Sequence, residues 1–122
     1  MVERILSPRL ADIVEAIERV RLILTGVSLE AFELDWEKRW LVKRGIEILS
    51  EASRHLPTDL KTRRAHIPWS KVSGIGNVLR HEYDRVAPDV LWKLAQDDLT
   101  VLYDVCREEL IAALAREEED RE

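Results

Sequence analysis

The chain has 122 residues and a formal net charge of −5, and it is 46% hydrophobic and 35% charged, with four Gly and four Pro. One domain with its own core is the expectation for this size, and the composition excludes collagen-like, low-complexity and wholly disordered chains and disfavours a many-turned β-sandwich or barrel. A single cysteine excludes an internal disulfide, no Cys/His cluster suits structural zinc, and there is neither a signal-type start nor an apolar run near 18 residues, so the expected setting is the cytoplasm and not a membrane.

The dominant period is helical. Leu10, Ile13, Ile17, Val20 and Leu24 form one stripe, which predicts a first helix over 8–25. Ser7 is its expected N-cap, Pro8 its first helical residue and Gly26 its stop. Residues 30–34 read as a short helical turn. A second long helix is predicted over 35–56, with Leu41, Ile48, Leu49, Ala52 and Leu56 facing inward and Gly45 where a neighbour can approach closely. Trp36 and Trp40 share a face, as core or interface residues. Pro57 discourages continuation. The link from Pro57 to Pro68 reads as loop with one helical turn. A third helix runs from Pro68 to His81 or Tyr83 on a stripe of Trp69, Val72, Ile75 and Leu79. The last, over 88–115, carries Leu91, Ala95, Leu99, Leu102 and Cys106, widened by Leu94, Val101 and Val105. Asp98 beside that stripe needs a partner if buried. Residues 116–122 are expected to be a solvated, frayed end.

No repeat and no strand-period segment interrupts this pattern. The fold class is therefore all-α, a single domain over 1–122 built as an antiparallel, up-and-down four-helix bundle. The wide apolar stripes and four tryptophans point further to a homodimer.

Charge is unevenly distributed. The segment 116–122 carries −3, leaving −2 for the rest. Between Lys61 and Arg85 the balance reverses, with six Lys or Arg against Glu82 and Asp84, and with His66 and His81 in the same stretch. A basic patch or an ordinary solvated face both fit. The chemically informative segment ends in Arg80-His81-Glu82-Tyr83. Histidine exchanges protons most readily near neutral pH, and a guanidinium grips phosphate through paired N–H donors. Together they could handle a phosphodiester, with Asn77 one turn before His81. The same residues also fit a helix C-terminus that opposes the helix dipole. His55 and His66 read as surface or capping residues, Cys106 as a small core residue, and Gly74-Ile75-Gly76 as a close-packing site. No Gly-rich phosphate loop, paired-metal carboxylate pattern or nucleophile elbow occurs.

Taken in order, several segments resemble the HepT-like ribonuclease toxins of the HEPN superfamily over nearly the whole chain. They are Asp12-Ile13-Val14-Glu15-Ala16-Ile17, the run from Arg44 to Ser53, Leu56-Pro57, Ile67-Pro68-Trp69, Gly74, Asn77-Val78-Leu79, His81-Glu82-Tyr83, and Trp92 through Asp98-Leu99. The family motif is Arg, four to six spacers, His, any residue, Tyr. His81 and Tyr83 match it, whereas a four-residue spacer puts Gly76 where the arginine belongs. Arg80 is the nearby arginine of the third helix, either substituting for that cation or marking a member with lost cleavage.

The resemblance implies a HEPN-type homodimer acting on RNA as an endoribonuclease, with no metal or other cofactor. His81 would then be the proton-transfer residue, Arg80 the phosphate contact and Asn77 an orienting group. It further implies a minimal nucleotidyltransferase antitoxin that adds AMP to Tyr83, placing charge and bulk beside the site. Two rivals stand beside this reading. One is a non-catalytic helical subunit that positions substrate for a nucleotidyltransferase partner, favoured by Gly76. The other is a plain interaction module docking through the Trp36/Trp40 face.

Overall fold

The computed structural model describes residues 6–82 and 87–121. Every regular element among them is helical: α1 (Ser7–Leu24), α2 (Leu29–Leu34), α3 (Trp36–Arg54), α4 (Thr58–Arg63), α5 (Trp69–Glu82), α6 (Pro88–Lys93), a π-helical turn (Leu94–Asp98) and α7 (Leu99–Asp120). None of these helices is long and apolar enough to cross a membrane.

The first helix follows its predicted stripe, with Leu10, Ile13, Ile17 and Val20 fully buried. Gly26 adopts φ +72°, the left-handed conformation that lets the chain leave the helix at little steric cost. The start differs from expectation. Ser7 lies inside α1 and does not cap it; its hydroxyl donates to Glu117 Oε1 at 2.9 Å. α7 is helical to Asp120, and this contact ties its last turns to the start of α1.

Caps set the start of α2 and α3. Ser28 Oγ accepts the Ala31 N–H, and Asp35 Oδ1 accepts the Lys38 N–H at 3.1 Å. The bond from the Lys38 backbone and a second from its ammonium hold the Asp35 carboxyl below its ordinary range. The buried arc of α3 is turned from the predicted one. Val42, Ile46, Leu49 and Ala52 are buried together with Ser50 and Ser53, whereas Leu41 is 54% exposed. The physical reason is that α3 packs against both α1 and α5, so polar residues facing α5 belong to its inner surface. Trp36 and Trp40 are not core: they lie edge to face, ring centroids 5.2 Å apart, and both are mostly exposed.

α1 packs against α3 and α7, and α3 packs against α5. Gly45 serves the close approach foreseen for it, since a Cβ there would lie 2.6 Å from Val20 Cγ2. These packed pairs run antiparallel: Ser50 meets Gly76 while Arg54 meets Ser73, and Ser7 meets Glu117 while Glu18 meets Tyr103. The π turn keeps α6 and α7 on one buried stripe. Leu91, Ala95 and Leu99 are four apart, a spacing that drifts by about 40° per step in a regular α-helix, and the wider i→i+5 turn offsets the drift. Val105 is buried as expected, but Val101 and Asp98 are exposed, so the stripe is narrower there and Asp98 needs no buried partner.

One buried charge ties α4 to α7. Glu109 is 4% exposed; it accepts from Arg63 Nη1 at 3.0 Å and from Arg64 Nε at 2.9 Å. Burial pushes its carboxyl up, but the bonds from Arg64 and Arg63 outweigh that and hold it below its ordinary value of 4.5. A carboxylate depressed in this way stabilises the fold above pH 4.5, and the contribution is lost as pH falls through the folded-state value. Glu109→Gln is therefore expected to lower stability near pH 7 by about 2 kcal/mol and to flatten the acid limb below pH 4.5. Urea melts of both proteins at pH 7 and pH 3.5 check this; equal losses at both pH values would refute it.

Candidate active site

The predicted site residues lie on the second half of α5. Asn77, Arg80 and His81 are all exposed, and Asn77 and His81 are one turn apart on the same stripe. Arg80, next to His81, points to a different side. It borders a polar groove of about 440 Å³ between α1, α3 and α5, lined also by Arg9, Asp12, Arg44, Glu47 and Glu51. The Glu51 carboxyl is held low chiefly by its bond with His55, with Arg54 and Arg80 adding positive charge. The structure thus brings Asn77 and His81 together and turns Arg80 towards the carboxylates of α3. Tyr83, the expected acceptor of AMP, lies outside the described residues.

What holds this half of α5 in place is a clamp from α3 that sequence reasoning missed. Ser50 Oγ donates to the Ser73 carbonyl at 2.9 Å and accepts the Gly76 N–H at 3.1 Å, so one hydroxyl bonds both a carbonyl and an amide of the α5 backbone. Arg54 adds two donations to the same Ser73 carbonyl, from Nε at 3.1 Å and Nη2 at 2.7 Å. Ser53 Oγ lies 3.3 Å from Ser73 Oγ. The available signal was the spacing of Ser50, Ser53 and Arg54, which puts hydroxyls and a guanidinium on one helical face.

Gly76 is the seat of this contact. It is buried, and a Cβ there would sit 2.7 Å from Ser50 Oγ and 2.9 Å from Ser50 Cβ. The glycine where the family motif expects arginine is therefore a packing requirement of this α5–α3 interface. Gly74 is different. A Cβ there would meet nothing within 4 Å, so only the second glycine of the pair is a close-packing site within the chain.

The basic stretch is less available than its count implies. Arg63 is engaged by Glu109, and Arg64 by Glu108 and Glu109. His55 pairs with Glu51 at 3.2 Å, and His66 borders a separate apolar groove. Trp69 anchors the start of α5, its indole N–H donating to the Arg64 carbonyl at 3.0 Å. Cys106 is a core residue as expected; burial pushes its thiol up to about 12, with Glu109 adding to the shift.

A family model described as ribonuclease HepT-like matches residues 13–109. The chain is 36% identical over 93 residues to a protein named "Probable ribonuclease HepT" from Thermococcus cleftensis, covering 76% of this chain and 84% of that one. It is 29% identical over 99 residues to "Putative RNase MJ1380" from Methanocaldococcus jannaschii, covering 81% and 91%. No solved structure matches. With its helical fold, its His81 on α5 and a family match spanning most of its length, the chain belongs to the HepT-like ribonuclease family of the HEPN superfamily.

Proposed function

We propose that this protein is a metal-independent endoribonuclease toxin of the cytoplasm, acting as a homodimer of HEPN-type four-helix bundles. The observation that carries the reading is the exposed His81 imidazole, on one stripe with Asn77, on a helix clamped to α3 one turn earlier. In the proposed reaction the ribose 2′-hydroxyl loses its proton to a base and attacks the adjacent phosphorus. The bond from phosphorus to the 5′-oxygen breaks, and that oxygen takes a proton from an acid. The products are a 2′,3′-cyclic phosphate and a 5′-hydroxyl. His81 of each subunit fills one proton-transfer role, Asn77 orients the phosphate, and Arg80 supplies positive charge from the side of the site. A nucleotidyltransferase antitoxin silences the protein by adding AMP to Tyr83, since a bulky anion beside the site repels RNA.

The test is RNA cleavage by the purified protein in excess EDTA. Products ending in cyclic phosphate are expected. Absence of cleavage would overturn the catalytic reading and favour the second one, a binding subunit that positions substrate for a nucleotidyltransferase. The specific observation behind that alternative is Gly76, together with an Arg80 that borders carboxylates.

A further inference from the structure

One face of α3 joins features that the proposed reaction does not use. Trp36, Trp40, Arg44, Glu47 and Glu51 fall on a single stripe, at spacings of four, four, three and four. Its N-terminal end carries the tryptophan pair, 55% and 61% exposed. The rings meet edge to face at an interplanar angle of 80°, so the indole that offers its edge keeps both of its own faces clear of the other ring. The charge around them says what kind of partner suits them. Residues 36–44 carry Lys38, Arg39, Lys43 and Arg44 against Glu37. Arg39 donates to the carbonyls of Phe32 and Glu33, which are neutral and leave its charge uncompensated. Protein interfaces are depleted of charge at their core, whereas cations interleaved with exposed aromatic rings suit a single nucleic acid strand.

The other end of the stripe enters the polar groove between α1, α3 and α5. Arg9, Arg44 and Arg80 line it, and among the described residues Arg9 and Arg80 have no ion-pair partner. Two of its carboxylates are compensated: Glu47 by Lys43 at 3.3 Å and Arg44 at 3.6 Å, and Glu51 by Arg54 at 3.1 Å. Five guanidinium or ammonium groups thus lie in or beside the groove, against the carboxylates of Asp12, Glu47 and Glu51. Arg80 directly precedes His81, so the groove ends at the border of the candidate site.

We infer that this face of α3 is a track for single-stranded RNA, with bases stacked on Trp36 and Trp40 and phosphates led past Arg44, Arg9 and Arg80 to the edge of the His81 site. This rests on the ribonuclease reading and adds to it a substrate contact away from the bond that breaks. The stripe is about 22 Å long from Trp36 to Glu51. A dinucleotide at His81 therefore cannot reach the tryptophans, and a longer strand can. Every base offers a face to stack, so the track selects for an unpaired strand and not for a sequence.

Binding of a 2′-O-methyl oligouridine of about 12 nucleotides, read by fluorescence anisotropy at low salt, tests this apart from cleavage, because that strand lacks the attacking hydroxyl. Trp36→Ala/Trp40→Ala should weaken binding about tenfold with unchanged helical circular dichroism, and Trp36→Phe/Trp40→Phe should keep most of the affinity. An abasic strand with the same phosphates should bind the wild type and the alanine variant alike. Arg44→Gln should weaken binding to both strands and lower the salt slope by about one. No binding by the wild type would overturn the assignment. Equal affinity in the alanine variant would also overturn it and give the tryptophan pair to a protein partner. An abasic strand that loses as much affinity as the oligouridine in that variant would do so too, since stacking would not be what was removed. Tryptophan-dependent binding by a protein that leaves ordinary RNA whole in EDTA would keep this inference and remove the nuclease reading. Cleavage of a long RNA with the same KM in the wild type and the alanine variant would do the reverse.

Discussion

His81→Ala is expected to reduce RNA cleavage by about 10³-fold while leaving the fold intact. The imidazole is exposed at the end of α5 and is not among the core residues, so its removal opens no cavity. The clamp that fixes α5 acts through Ser50 and Arg54 on the backbone at Ser73 and Gly76, one to two turns earlier, and does not involve His81. The loss should therefore appear in kcat with thermal stability unchanged. Asn77→Ala, which removes an orienting group and not a proton carrier, should cost less, about tenfold. Cleavage that survives in His81→Ala at the wild-type rate would reject the mechanism.

Gly76→Arg restores the arginine of the family motif and is nonetheless expected to be the most damaging substitution to the fold. The new Cβ would overlap Ser50, whose Cβ is 2.9 Å away and is itself fixed to the α3 backbone. Rotating the serine relieves the hydroxyl contact but not the carbon contact, so α5 must move away from α3. Overpacking of this kind costs about 1–3 kcal/mol. Displacing α5 also breaks the two bonds of the Ser50 hydroxyl and the paired donation of Arg54, at about 1 kcal/mol or more for each buried group left unpaired. A total near 4 kcal/mol is expected, read as a fall of roughly 15 °C in Tm, with no gain in cleavage. Gly76→Ala should show the smaller, purely steric share. A Gly76→Arg protein as stable as the wild type and more active would show that α5 accommodates the motif as other members carry it.

The legible parts of this fold are those whose buried side is apolar throughout. The stripe from Leu10 to Leu24 and the run from Leu91 to Cys106 declare their buried sides because apolar residues fall there and polar ones do not. α3 is harder to read because one of its two buried faces is polar. Its face towards α5 is built from Ser50, Ser53 and Arg54, and serine in a helix reads equally well as a solvent or capping residue. Its inward role depends on a carbonyl that a second helix brings to it. The π turn was equally hidden, since nothing in Leu94–Asp98 favours a wider turn locally; it arises from keeping Ala95 and Leu99 on the core. At the site, the placement of His81 and Asn77 followed from helical spacing alone. The meaning of Gly76 did not, because a missing arginine and a required glycine look identical until the opposing Ser50 is known.

The buried sulfhydryl of α7 has a practical consequence. Cys106 is the chain's one cysteine, it is fully enclosed, and burial holds its thiol at about 12, so the thiolate that reacts with alkylating reagents is scarce while the core is closed. Reagent uptake at this atom then reports how often the interior opens, one event per molecule and without an added label. The protein carries its own clock for breathing motions.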